Sequence, residues 1–78
     1  MNKSAVIYTT KTCKYCHLVE DLFNKNGVTY TKYDVGVDVE KRREMIEKSG
    51  QMGVPVIEIA KHVVVGYDEE ALIELIGK

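Results

Sequence analysis

A small α/β domain, a four-stranded mixed sheet covered by three helices in the order βαβαββα, is what the 78-residue sequence predicts. Three observations lead there. Two short β-rich runs flank an amphipathic helical stretch, the unit that makes parallel strands joined by a helical crossover. Two further β-rich runs stand only two residues apart, which is hairpin spacing. Capping residues and glycines bracket the other periodic segments as helices.

The first element is "SAVIY", Ser4–Tyr8, an apolar and β-branched run. Tyr15, Leu18, Val19, Leu22 and Phe23 then recur at i, i+3, i+4, i+7 and i+8, one apolar helical face, and Gly27 stops the helix. "VTYTKY", Val28–Tyr33, alternates as a strand does. In "DVEKRREMIEKSG", Asp38 caps a second helix and Gly50 ends it, with Val39, Met45 and Ile46 as inner positions. Val56–Ile59 and His62–Val65 make the hairpin around Ala60 and Lys61, neither of them a favoured turn residue. Asp68 caps the last helix; Glu69 and Glu70 occupy its first turn, where the dipole favours anions, and Leu72, Leu75 and Ile76 face inward.

Bulk properties narrow the function. A chain of this length is one domain, residues 1–78, that buries only about 60% of its unfolded surface. Hydrophobic residues at 45% and charged residues at 29% make an ordinary globular composition. Net charge is -1 and the longest basic run, Lys41-Arg42-Arg43, is only three residues, so no nucleic-acid or membrane-surface partner is expected. The amino terminus lacks a secretory apolar core, and no segment has the ~18 apolar residues of a membrane span. The expected location is therefore cytoplasmic, where a disulfide is usually catalytic or transient. A bridge within four residues would in any case close too small a loop to act as a staple.

"TCKYCH", Thr12–His17, carries the chemistry. Haem attachment matches Cys13, Cys16 and His17 literally, and Met52 could be offered as a distal ligand, but His17 points opposite the apolar stripe. Zinc needs four ligands, and Cys13, Cys16 and His17 make three, with His62 far along the chain in a strand. His17 reads instead as a solvated helix residue, so no metal site is expected. A thiol pair fits position best. Cys13 follows a strand and opens a helix, where unpaired first-turn N–H groups and the positive dipole end favour thiolate. Lys11 and Lys14 add positive potential. Cys16 lies one turn later and nearer the protein body, so Cys13 is the attacking sulfur and Cys16 the resolving one. For a thiol lowered from about 8.5 to about 5, the ~30-fold gain in thiolate is offset by lost nucleophilicity, and the lasting effect is a better leaving group.

Strand, "YTTKTCKYC", amphipathic helix, "GVPVI" and "VVGYDEEAL" together resemble the glutaredoxins, and the resemblance covers essentially the whole chain. It implies the thioredoxin-like fold of glutaredoxins, with a cis peptide bond between Val54 and Pro55 that leaves the Val54 backbone free to pair with an extended ligand. It implies glutathione as cosubstrate, with no tightly bound cofactor. Carried over by position, Tyr15 forms one wall of the glutathione groove and Val54 and Pro55 the backbone rail. Gly66, Tyr67 and Asp68 receive the γ-glutamyl end at a helix N-terminus, and Lys11 stands near the glycyl carboxylate. Implied partners are disulfide-containing or glutathionylated proteins. Three positions depart from the family pattern: Lys14 replaces a frequent Pro, Thr10 holds the usual basic position, and Val65-Gly66 replaces Gly-Gly. These point part of the way toward redoxins that serve ribonucleotide reductase and draw electrons from thioredoxin reductase. The competing reading is a module holding an iron–sulfur cluster at Cys13 between two copies.

Overall fold

Residues 4–77 are described by a computed structural model. In chain order they form β1 (Ser4–Thr9), α1 (Lys14–Lys25), β2 (Thr29–Asp34), α2 (Val39–Ser49), β3 (Val56–Ile59), β4 (His62–Val65) and α3 (Glu69–Ile76). The order matches the sequence expectation, with the second strand displaced by one residue and the first extended to Thr9. Strand order in the sheet is β2-β1-β3-β4. β1 runs parallel to β2 and antiparallel to β3, and β3 and β4 make the expected hairpin.

Alternation along the central strands decides the layering. Ala5, Ile7, Ile57 and Ile59 project to one face, where Val19 and Phe23 of α1 and Leu72 and Leu75 of α3 pack against them. Tyr8 and Val56 project to the other, against Met45 of α2 and Val35. Register enforces this division, because Ile7 pairs with Ile57 and Tyr8 with Val56, so each pair shares a face. The second face is also clasped by polar groups. The Tyr8 hydroxyl donates to Glu44 Oε2 at 2.9 Å, and Lys48 Nζ donates to Tyr8 Oη at 3.2 Å and to Glu58 Oε1 at 2.9 Å.

Two expected inner faces are corrected. The helical period places Tyr15 and Leu18 inward, yet they are 58% and 44% exposed, and α1 instead buries Cys16, Val19 and Phe23. A half-cystine is a small apolar group, and counting Cys16 as core rotates the buried stripe away from Tyr15. Val39 is 57% exposed rather than inward. Met45 centres the α2 contact, Ile46 lies at its margin, and Val39, seven residues before Ile46 and on the same side, falls beyond it.

Candidate functional site

Parallel pairing of β1 with β2, and antiparallel pairing of Tyr8 with Val56 and of Val56 with Val65, bring four chain segments to one edge of the sheet. The β1–α1 turn, the β2–α2 turn, the approach to β3 and the exit from β4 all gather there. The helices α1, α2 and α3 all begin at this edge, so the positive ends of three helix dipoles converge on it.

These helices begin differently. In α2 and α3 the caps are Asp38, accepting from Lys41 N–H at 3.0 Å, and Asp68, accepting from Ala71 N–H at 3.2 Å. Acidic residues follow in both first turns, Glu40 in α2 and Glu69 and Glu70 in α3. Helix α1 is capped by Cys13, in extended backbone at φ -78° and ψ 108°, with no side-chain cap hydrogen bond and no acidic residue in the first turn. Its positive end is therefore left for whatever charge develops on the Cys13 sulfur.

Cys13 and Cys16 are joined by a disulfide, with Cα atoms 5.5 Å apart. Cys13 is 8% exposed and Cys16 2%, so Cys13 is the more accessible residue of the pair and Cys16 belongs to the buried stripe of α1. The Cys13 N–H donates to the Thr10 carbonyl at 3.3 Å, which closes the turn from β1 into the helix. Lys11, Lys14 and Tyr15 stand exposed around the pair.

The other sequence-predicted residues lie along the same edge. The Val54–Pro55 peptide bond is cis, as expected. Pro55 is buried and Val54 half-buried. The Gly66 N–H donates to the Pro55 carbonyl at 2.8 Å, tying the exit of β4 to the approach of β3. Gly66 sits at φ 80°, where a Cβ would be strained. Tyr67 packs against the α1/α3 core and donates to Glu69 Oε2 at 3.0 Å, and burial together with that bond raises its phenol pKa. His62 starts β4, paired with Ile59, and so lies at the opposite end of the sheet from the disulfide, which separates it from any zinc set at Cys13. His17 is 79% exposed, in keeping with a solvated residue. Among the described residues no group of three or more His, Cys, Asp or Glu side chains is placed to hold a metal ion.

On the β2 side of the disulfide opens a cleft of about 320 Å³, lined by Thr9, Thr10, Lys11, both cysteines, His17, Glu20, Lys32 and Asp34. Glu20, Lys32 and Asp34 were not foreseen as site residues. Glu20 Oε1 takes an ion pair from Lys32 Nζ at 3.1 Å and a hydrogen bond from the Tyr30 hydroxyl at 3.3 Å. The spacing of Glu20 from Cys16, one i,i+4 step, was a usable signal; the pairing of Lys32 beside Ile7 was not, because it depends on register.

No helix among the described residues is long and apolar enough to cross a membrane. The glutaredoxin family profile matches residues 5–64. An uncharacterised glutaredoxin-like protein of the rubredoxin operon of Clostridium pasteurianum is 33% identical over 72 residues, 92% of this chain and 96% of the relative. Glutaredoxin 3 of Escherichia coli is 41% identical over 58 residues, 73% of this chain and 70% of the relative. The crystal structure of a glutaredoxin from Archaeoglobus fulgidus superposes with a TM-score of 0.85 at 25% identity, covering 95% of this chain and 86% of the other.

Proposed function

The chain belongs to the glutaredoxin family of thiol–disulfide oxidoreductases, and on that premise we propose that it reduces protein disulfides or glutathione mixed disulfides through Cys13 and Cys16. One observation carries the reading: among the described residues, the disulfide caps the only helix whose N-terminus is left without a carboxylate. In the reduced protein the Cys13 thiolate attacks a substrate sulfur, the substrate S–S bond breaks, and one substrate thiolate leaves. Cys16, or glutathione, then attacks the Cys13 mixed disulfide and releases the second thiolate. Two electrons pass from the dithiol to the substrate, and two glutathione molecules can return them.

Glutathione is proposed to lie beside Cys13 with Tyr15 as a wall and Val54 and Pro55 as the rail. Support comes from the Val54 backbone, whose N–H and C=O make no hydrogen bond among the described residues. Gly66, Tyr67 and Asp68 would receive the γ-glutamyl end at the start of α3, and Lys11 the glycyl carboxylate. Its location is proposed to be cytoplasmic. The reductant divides the proposal: glutathione with its reductase, or a thioredoxin-reductase-type flavoprotein.

Turnover of a glutathionylated peptide, coupled in turn to each reductase, tests both points. Cys13→Ser is expected to fall to background with either reductant. Cys16→Ser is expected to keep glutathione-dependent deglutathionylation while losing reduction of a protein disulfide. Dithiol turnover surviving in the Cys13→Ser protein would overturn the assignment of roles.

A further inference from the structure

The resolving step asks a buried thiol to ionise. Cys16 is 2% exposed on the inner stripe of α1, and a thiol in such surroundings gives up its proton reluctantly without a base. Cys13 has the helix N-terminus; Cys16, a turn inside the helix, has the cleft. Glu20 lies one i,i+4 step from Cys16 on the same helix, a spacing that brings side chains about 5–6 Å apart at Cβ, and both line the cleft. Its carboxylate is 18% exposed and fixed from β2 by Lys32 and Tyr30, both on Oε1. Among the described residues Oε2 has only His17 Nδ1 nearby, at 4.0 Å.

Resting on the dithiol reading above, we propose that Glu20 is the proton acceptor for Cys16 in the resolving step, directly or through one water held in the cleft. Its volume of about 320 Å³ admits several waters, each needing roughly 30 Å³. Other candidates in the cleft fit less well. Asp34 Oδ1 already accepts the Gly36 N–H at 2.9 Å. His17 follows Cys16 directly, so it points about 100° away around the helix, and it is 79% exposed. Lys11 and Lys32 are cations and cannot accept a proton while charged.

Glu20 takes the proton of the Cys16 thiol, and the Cys16 thiolate attacks Cys13 Sγ of the mixed disulfide. The Cys13–Cys16 bond forms, the bond from Cys13 to the substrate sulfur breaks, and the substrate leaves as a thiolate. Glu20 then returns the proton to that thiolate or to solvent through the cleft. Lys32 and Tyr30 are positioning residues, since they hold the carboxylate without touching the reacting sulfurs.

A symmetric nitrobenzoate disulfide, whose released thiolate is yellow, separates the two steps in a stopped-flow experiment on the reduced protein. Attack by Cys13 releases the first equivalent at a rate proportional to probe concentration. Attack by Cys16 releases the second at a rate independent of it. Glu20→Gln is expected to slow the second phase by about 100-fold at neutral pH, the lower end of the range of general base catalysis. The first phase should stay within about twofold, and the deficit in the second should close toward pH 9–10 as hydroxide replaces the carboxylate. Glu20→Asp, which keeps a carboxylate, should lie nearer to wild type than Glu20→Gln. A second phase indifferent to Glu20→Gln at every pH overturns the proposal, as does equal slowing of both phases at every pH or an aspartate variant as slow as the glutamine one. Wild-type protein releasing a single equivalent would overturn the dithiol reading itself, and this proposal with it.

Discussion

At the scale of single residues, the side chains easiest to identify from sequence were those whose role depends on local chain geometry. Cys13 and Cys16 follow from spacing and from the helix start, and Asp38 and Asp68 cap as their positions suggest. Tyr15 is exposed, although its place in the helical period assigns it to the core. Side chains that act across the fold were hidden. Tyr8 reads as the end of an apolar strand, yet its hydroxyl joins Glu44 and Lys48, thirty-six and forty residues away. That network sets a pH dependence. The Tyr8 hydrogen bond is the main cause holding the Glu44 carboxyl below its ordinary pKa, and Tyr8 itself is pushed up chiefly by burial. A carboxyl depressed in the folded state stabilises fully above its unfolded value, and that contribution is lost as pH falls through the folded one. Tyr8→Phe should therefore cost about 1 kcal/mol near pH 7 by urea unfolding. The gap from wild type should narrow as pH drops from about 5 to about 3. An equal gap at both ends would show that Glu44 is not the partner that matters.

At the scale of elements, all seven were legible because each carries a period or a punctuation mark, and their order followed from connection length. Which face each helix buries is less legible, because a half-buried helix tolerates apolar residues at the margin and a reactive cysteine such as Cys16 can also be part of the core. The β3–β4 hairpin is the element where local chemistry and structure disagree. Ala60 and Lys61 both take positive φ, 51° and 67°, which two-residue hairpins demand and which non-glycine side chains resist. Hydrophobic pairing of β3 with β1 and β4 overrides the turn preference. The double change Ala60→Asn with Lys61→Gly should raise stability by about 1–2 kcal/mol, or Tm by roughly 4–15 °C in a domain of this size. No gain in a thermal melt would mean that the turn costs nothing as built.

At the scale of the whole molecule, the sheet's mixed order matters more than any one element. Antiparallel entry of β3 beside β1 brings the cis Val54–Pro55 segment and the Gly66 turn to the same edge as the disulfide, an arrangement no local pattern states. The cleft and its Glu20–Lys32 pair arise from the parallel register of β1 and β2 instead, since Lys32 faces α1 only because it pairs with Ile7. The family resemblance supplied the cis bond and the fold; the register that makes the cleft had to come from structure. Assembled in this way, the fold leaves the start of α1, beside a sulfur, without the carboxylates that offset the starts of α2 and α3. The most direct test is a titration of thiolate absorbance in the reduced protein, compared with the same protein unfolded in urea and with Cys13→Ser. One thiol should titrate between about pH 3.5 and 7.5 in the folded chain, return to about 8.5 on unfolding, and be absent from the Cys13→Ser protein. A folded Cys13 that titrates at about 8.5 or above would contradict the account.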